Sequence, residues 1–158
     1  MCYDYFVKKI TKRCSGMVLN ATATLTDGQM KFECTAGDGY KIVTDYPAPH
    51  GSGGGPTSLE LFLASLCSCL GGTLAVLLRQ AGKTVDAVTV SARGERRKEH
   101  PTCFERIELT AKINAPDAQS EDVAKALKLA ETCICPVAAM VKNTVALDMR
   151  AELLAGRP

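Results

Sequence analysis

Eight cysteines stand in this chain of 158 residues: Cys2, Cys14, Cys34, Cys67, Cys69, Cys103, Cys133 and Cys135. Four of them form two Cys-x-Cys pairs, 67/69 and 133/135. Clustered cysteines serve a disulfide framework, a metal site or a redox thiol pair. The first segment, MCYDYFVKKITKRCSG, lacks the continuous apolar core of a secretory signal. A cytoplasmic location is therefore expected, where thiols stay mostly reduced. That argues against a disulfide framework. A four-thiolate zinc site is disfavoured too. Residues two apart on a helix point to nearly opposite faces, and zinc motifs favour a longer spacer between cysteines. A zinc site is therefore not expected.

Redox chemistry needs one reactive thiolate and a second sulfur within disulfide reach, with Cα atoms less than about 7 Å apart. Cys69 lies in LELFLASLCSCLGGTLAVLLRQ, where it shares a helical stripe with Leu66, Thr73 and Val76. Cys135 precedes Pro136. A proline disfavours helical geometry at the residue before it and is welcome at the first position of a new helix. Cys135 therefore reads as the N-cap of a short final helix over 136–142, where the helix dipole favours a thiolate. Both cysteines also fit the commonest fate of the residue, a small buried hydrophobe. The two readings stand side by side. Cys67 and Cys133 read as buried thiols.

The elements that would position these residues are legible. MVLNATATLT (17–26), QMKFECTA and YKIVTDY read as three strands joined by tight turns at DG and GDG. PAPHGSGGGP (47–56) is a loop. Thr57 and Glu60 fit a Thr-x-x-Glu capping box directly before the apolar run. TVDAVTVSARGERR and CFERIELTAKIN read as two further strands around a hairpin loop. Ser120, followed by Glu121 and Asp122, reads as the cap of a second helix with Val123, Leu127 and Ala130 on its buried face. TVALDMRAEL closes the chain as a strand. The fold class is α+β in the order βββ-α-ββ-αα-β. Residues 1–16 read as an N-terminal extension and 17–158 as one domain.

Residues 61–78 carry no charge, just long enough for a membrane span. Ser65, Ser68, Gly71, Gly72 and Thr73 dilute the run, and it sits among alternating strands. A helix that is apolar on every side is otherwise a central one, covered all round. A second copy of the chain would supply the cover, so a homodimer without a membrane is expected. The net charge of +2 and the absence of tryptophan give no footprint for nucleic acid. RGERRKEH (93–100) mixes signs and suits an exposed hairpin end. His50 and His100 stand in loops, in no Cys-His spacing that would suggest a cysteine hydrolase.

The segment SLELFLASLCSCLGGTLAVLLRQAG resembles the central helix of the OsmC/Ohr family of osmotically induced and organic hydroperoxide resistance proteins. Its form there is Glu-Leu-x-Leu-Ala-x-x-x-x-Cys, here Glu60, Leu61, Leu63, Ala64 and Cys69. ETCICPVAAMVK resembles the second signature of the family, a Cys-Pro-Val that corresponds to Cys135. DGYKIVTD, the Gly-rich loop and GERRKEHPTCFERIEL fit as well. The resemblance covers about residues 17 to 153.

It implies an intertwined homodimer with the cysteine-bearing helices at its centre, and a thiol-based peroxidase that needs no metal or organic cofactor. Cys69 would be the peroxidatic thiolate and Cys135 the resolving thiol. A dithiol, in the better-known members a lipoylated protein, would reduce the resulting disulfide. The apolar helix would favour organic hydroperoxides over hydrogen peroxide. Family peroxidases place a glutamate ten residues before the reactive cysteine and pair it with an arginine from the N-terminal strands. Here Leu59 holds that place and Glu60 follows it. Glu60 is thus a third candidate site residue, with the capping box as its competing role. Arg13, the one arginine before the helix, lies upstream of the first strand, which leaves Lys31 and Lys41 as other cations. The alternative is a non-catalytic member of the fold that binds a small apolar ligand at the dimer interface.

Overall fold

The computed structural model of the protein describes residues 17–154. The expected N-terminal extension over 1–16, with Cys2, Arg13 and Cys14, lies outside the described residues, as do 155–158. The elements run β1 (Ala21–Leu25), β2 (Phe32–Ala36), β3 (Tyr40–Thr44), α1 (Ser58–Gln80), β4 (Ala87–Arg96), β5 (Phe104–Asn114), α2 (Ser120–Leu129), a π-helical turn (Ala130–Ile134), α3 (Pro136–Val141) and β6 (Ala146–Leu153). The α+β class and the order of elements are those read from the sequence. The described residues fall into two compact units that divide within α1, after Leu61.

The first unit is an antiparallel meander, β1-β2-β3. Its first strand is shorter than the alternation of 17–26 predicts. Met17 and Leu19 precede it and are exposed, so no partner strand fixes their alternation. The loop after β3 is organised by one buried side chain, Asp45. Its carboxylate accepts hydrogen bonds from the backbone of Gly54 (2.8 Å), Tyr46 (2.7 Å) and Ser52 (3.2 Å) and from the Ser52 hydroxyl (2.8 Å). Gly51 has to be glycine here, because a Cβ would overlap the Asp45 carboxylate and the Tyr46 backbone.

The capping box at the start of α1 is present. Thr57 donates its backbone N–H (2.7 Å) and its hydroxyl (2.8 Å) to the Glu60 carboxylate, and the Glu60 N–H donates back to Thr57 Oγ1 at 3.4 Å. The remaining orphan N–H groups of a helix start are few once such a box closes.

The second unit contains the rest of α1 and the sheet β4-β5-β6. β4 and β5 pair as the expected hairpin. β6 then pairs with β5 in parallel, reached by the crossover through α2 and α3. The alternation of β5 buries Ile107, Leu109, Ala111 and Ile113. Leu66, Leu70, Leu74 and Leu78 of α1 are also fully buried, the 3.6-residue stripe of a helix lying on a sheet. Gly71 allows a close approach, since a Cβ there would stand 3.2 Å from Val90 Cγ2 and 3.7 Å from Val88 Cγ1. The Phe62 and Phe104 rings stack with centroids 6.1 Å apart. By length and composition α1 could cross a membrane. Within this unit its leucines form the core instead.

Two local expectations change. Gln119, not Ser120, is the N-cap of α2, and the Asp122 carboxylate accepts the Gln119 N–H at 2.9 Å. Asp122 thus occupies the N3 place of a capping box, three residues after the cap. On the buried face of α2, Val123 is joined by Ala126, while Leu127 is only half-buried and Ala130 falls in the π-turn. Proline has no N–H to continue the helical ladder. Ahead of Pro136 the turn widens, and Cys135 N–H bonds Ala130 O, five residues back, at 3.1 Å. Cys135 leaves helical geometry at φ −74°, ψ 105° and caps α3, as expected from the sequence.

Candidate active site

Cys69 and Cys135 meet. The Cys135 thiol donates a hydrogen bond to Cys69 Sγ at 3.2 Å. A disulfide bond is about 2.05 Å long, so about 1 Å of approach would close one. The residues are 66 apart in sequence. Cys69 is carried by the leucine stripe of α1, which fixes that helix by burial. Cys135 is held at the junction that Pro136 imposes. Cys135 is 2% exposed, whereas Cys69 is half-buried.

The electrostatics correct one expectation. The helix dipole at the start of α3 predicts a Cys135 that ionises readily. Burial instead pushes its thiol up to about 11. The Ala138 and Val137 backbone N–H groups pull the other way, while Cys69, beside it, adds to the rise. A helix as short as α3 offers few aligned peptides, and desolvation of the charged sulfur outweighs them. Cys135 is thus a protonated donor and Cys69 its acceptor.

The pair also accounts for the two sequence signatures. A family model of OsmC-like proteins matches residues 51–150, which contain both cysteines. The chain belongs to the OsmC-like protein family. Solved structures agree. A hypothetical protein from Aquifex aeolicus is similar over 89% of this chain and 99% of its own, at 25% identity and TM-score 0.78. An OsmC-like protein from Mycoplasma pneumoniae covers 90% of this chain and 99% of its own, at 16% identity and TM-score 0.75. The organic hydroperoxide resistance protein OhrB of Bacillus subtilis covers 86% and 98%, at 19% identity and TM-score 0.61. No curated protein sequence matches the chain.

In this OsmC-like protein the other candidates fall elsewhere. Both hydrogen bonds to the Glu60 carboxylate come from Thr57, and they hold it below the usual glutamate value, the backbone bond contributing most. Lys41 pairs with Glu33 on the exposed face of the first sheet at 3.0 Å. Lys31 lies beside Gly54, near the Asp45 loop. Cys67, expected to be buried, is half-buried, and burial pushes its thiol up. Cys133, also expected to be buried, is exposed on the π-turn, where its thiol donates to Thr132 Oγ1 at 3.3 Å. Among the described residues no three His, Cys, Asp or Glu side chains stand close enough to hold a metal ion. The sequence reading missed Asp45. Its one signal was an acid placed just before a loop dense in glycine N–H groups.

Proposed function

We propose that this OsmC-like protein is a thiol-dependent peroxidase that reduces organic hydroperoxides through Cys69 and Cys135. The observation that carries the proposal is the 3.2 Å contact between the sulfur of half-buried Cys69 and that of buried, protonated Cys135. The organic hydroperoxide resistance proteins among the structural neighbours support the same chemistry.

The Cys69 thiolate attacks the terminal peroxide oxygen. The S–O bond forms, the O–O bond breaks, and the departing alkoxide takes a proton from water to leave as the alcohol. Cys69 is now a sulfenic acid. Cys135 sulfur attacks Cys69 sulfur, the S–S bond forms, and hydroxide leaves with the Cys135 proton as water. One hydroperoxide and two thiols thus give alcohol, water and a disulfide. A dithiol, such as the lipoyl group of a lipoylated protein, exchanges with the disulfide and restores both thiols.

Glu60 contributes in this scheme by fixing the first turn of α1. The working unit is a homodimer. Ala64, Ser68, Gly72 and Val76 form an exposed stripe along α1, and Leu25, Tyr40, Ile42 and Val43 are exposed on the first sheet. A second copy would cover such apolar surface. A reducing cytoplasm would keep the thiols ready.

The test is thiol counting and peptide mapping before and after one equivalent of cumene hydroperoxide, on wild type and Cys69→Ser. The expected result is rapid loss of two thiols with a linked Cys69–Cys135 peptide, and neither in the variant. Scattered oxidation that ignores the substitution would sink the peroxidase and favour the ligand-binding alternative.

A further inference from the structure

We propose that Cys135 activates Cys69 as well as resolving it: its thiol, hydrogen-bonded to Cys69 sulfur, stabilises the Cys69 thiolate before any peroxide arrives. This rests on the reading of Cys69 as the nucleophile. It supplies a donor to Cys69 that the other described candidates do not. Leu59 occupies the place of the family glutamate, and the Glu60 carboxylate is engaged by Thr57. Among the described residues, the bond from Cys135 is the one hydrogen bond to Cys69 sulfur.

Two sulfurs at this distance hold one proton more readily than none, because a second negative charge beside the first is costly. The proton stays on the sulfur that water reaches least. That is Cys135, at 2% exposure. The negative charge is then left on Cys69, the less buried of the two, and the retained S–H points at it. Burial and the bond to Cys69 hold the Cys135 proton in place, and the Ala138 and Val137 N–H groups are too weak to release it. A hydrogen bond to the charged form favours that form. Cys135 is therefore a positioning residue in the first half of the cycle and a reactant in the second.

Among the described residues, the charged side chains of the flanking elements have partners of their own. On the π-turn, Glu131 pairs with Lys128 at 3.4 Å, and Cys133 bonds Thr132. After α3, Lys142 reaches the Thr132 carbonyl. On β4 and β5, Arg93 is engaged with Glu95 and Glu108. On α1, Cys67 lies two residues from Cys69, on another face of the helix, and Arg79 bonds the Val85 carbonyl.

The test measures the pH dependence of Cys69 alkylation by iodoacetamide, followed on the Cys69 peptide by mass spectrometry. Wild type, Cys135→Ala and Cys135→Ser are compared, each with a thermal unfolding midpoint as a check on folding. Alanine removes the donor, and the alkylation midpoint should rise by about one pH unit. Serine keeps a donor but has no sulfur, so its midpoint should stay at or below that of wild type while no disulfide forms. An unmoved alanine variant, or a serine variant that moves as far as alanine, overturns the proposal. Alkylation uses no peroxide. A midpoint shift in a protein whose Cys69 ignores cumene hydroperoxide would leave the activation standing and remove the peroxidase.

Discussion

Two buried acids in this protein meet opposite fates. Asp45, in the first unit, is held from an ordinary 3.8 down to about 2, first by the Gly54 N–H, then by the Ser52 hydroxyl and the Tyr46 and Ser52 N–H groups. Cys135, in the second, is pushed up to about 11 by burial. Both are out of contact with water. What separates them is the supply of donors. A loop folded around a carboxylate turns its N–H groups inward, and the anion is better solvated than in water. The sulfur at the head of α3 receives two weaker helix N–H groups and faces a second sulfur. One site keeps a charge to organise a loop. The other keeps a proton and donates a hydrogen bond to its neighbour. Burial alone therefore predicts neither state.

The largest expected effect comes from removing the acceptor in the first unit. Asp45→Ala leaves three backbone N–H groups and the Ser52 hydroxyl without their acceptor. Buried donors without partners are costly. The urea midpoint should fall further than for any other variant named here. Cys135→Ala removes one sulfur from a packed site and should cost about 1–2 kcal/mol. Equal losses in the two variants would mean that the donors around Asp45 matter no more than packing does.

Titration sharpens the contrast. Asp45 has a depressed value, so its contribution is complete above about pH 4 and is lost as pH falls through about 2. Cys135 has a raised value, so its contribution is complete below about pH 9 and is lost as pH rises through about 11. Difference curves of stability against pH, wild type minus Asp45→Asn and wild type minus Cys135→Ala, should show one loss on the acid side and one on the alkaline side. A Cys135 difference that is flat between pH 9 and 11 would contradict its protonated state.

The same contrast explains what the sequence made legible. The frame of α1 was plain, because Thr57 and Glu60 cap an apolar run whose leucines recur at helical spacing. The break at Pro136 was plain too, since a missing N–H is a local fact. The alternation of Ile107, Leu109, Ala111 and Ile113 announced the central strand. Depth was not legible. The rule for a helix N-terminus predicts a reactive Cys135 because it sees the dipole and not the burial. Cys133 and Cys135 are two residues apart, yet one is exposed and the other buried, a difference set by the widened turn between them. Asp45 escaped notice because its partners, Ser52 and Gly54, come close only once the loop has closed. The parallel pairing of β6 with β5 likewise depends on the whole crossover and not on either strand. The contact between Cys69 and Cys135 followed from the family resemblance alone.

The smallest expected effect concerns Glu60, and it separates a scaffold role from a chemical one. Glutamine can serve at the N3 place of a capping box as glutamate does. Glu60→Gln therefore keeps the bonds with Thr57 and removes only the charge. If Glu60 acts through the cap, the rate of thiol loss with cumene hydroperoxide stays within twofold of wild type, and the Cys69 alkylation profile does not move. Thr57→Ala does the converse. It leaves the charge and removes the hydroxyl that both accepts from and donates to Glu60, at a cost of about 1 kcal/mol in stability. A Glu60→Gln variant that folds normally but oxidises tenfold more slowly would assign the carboxylate to the chemistry. The thiolate would then have a second source of activation, and the burden placed on Cys135 would be shared.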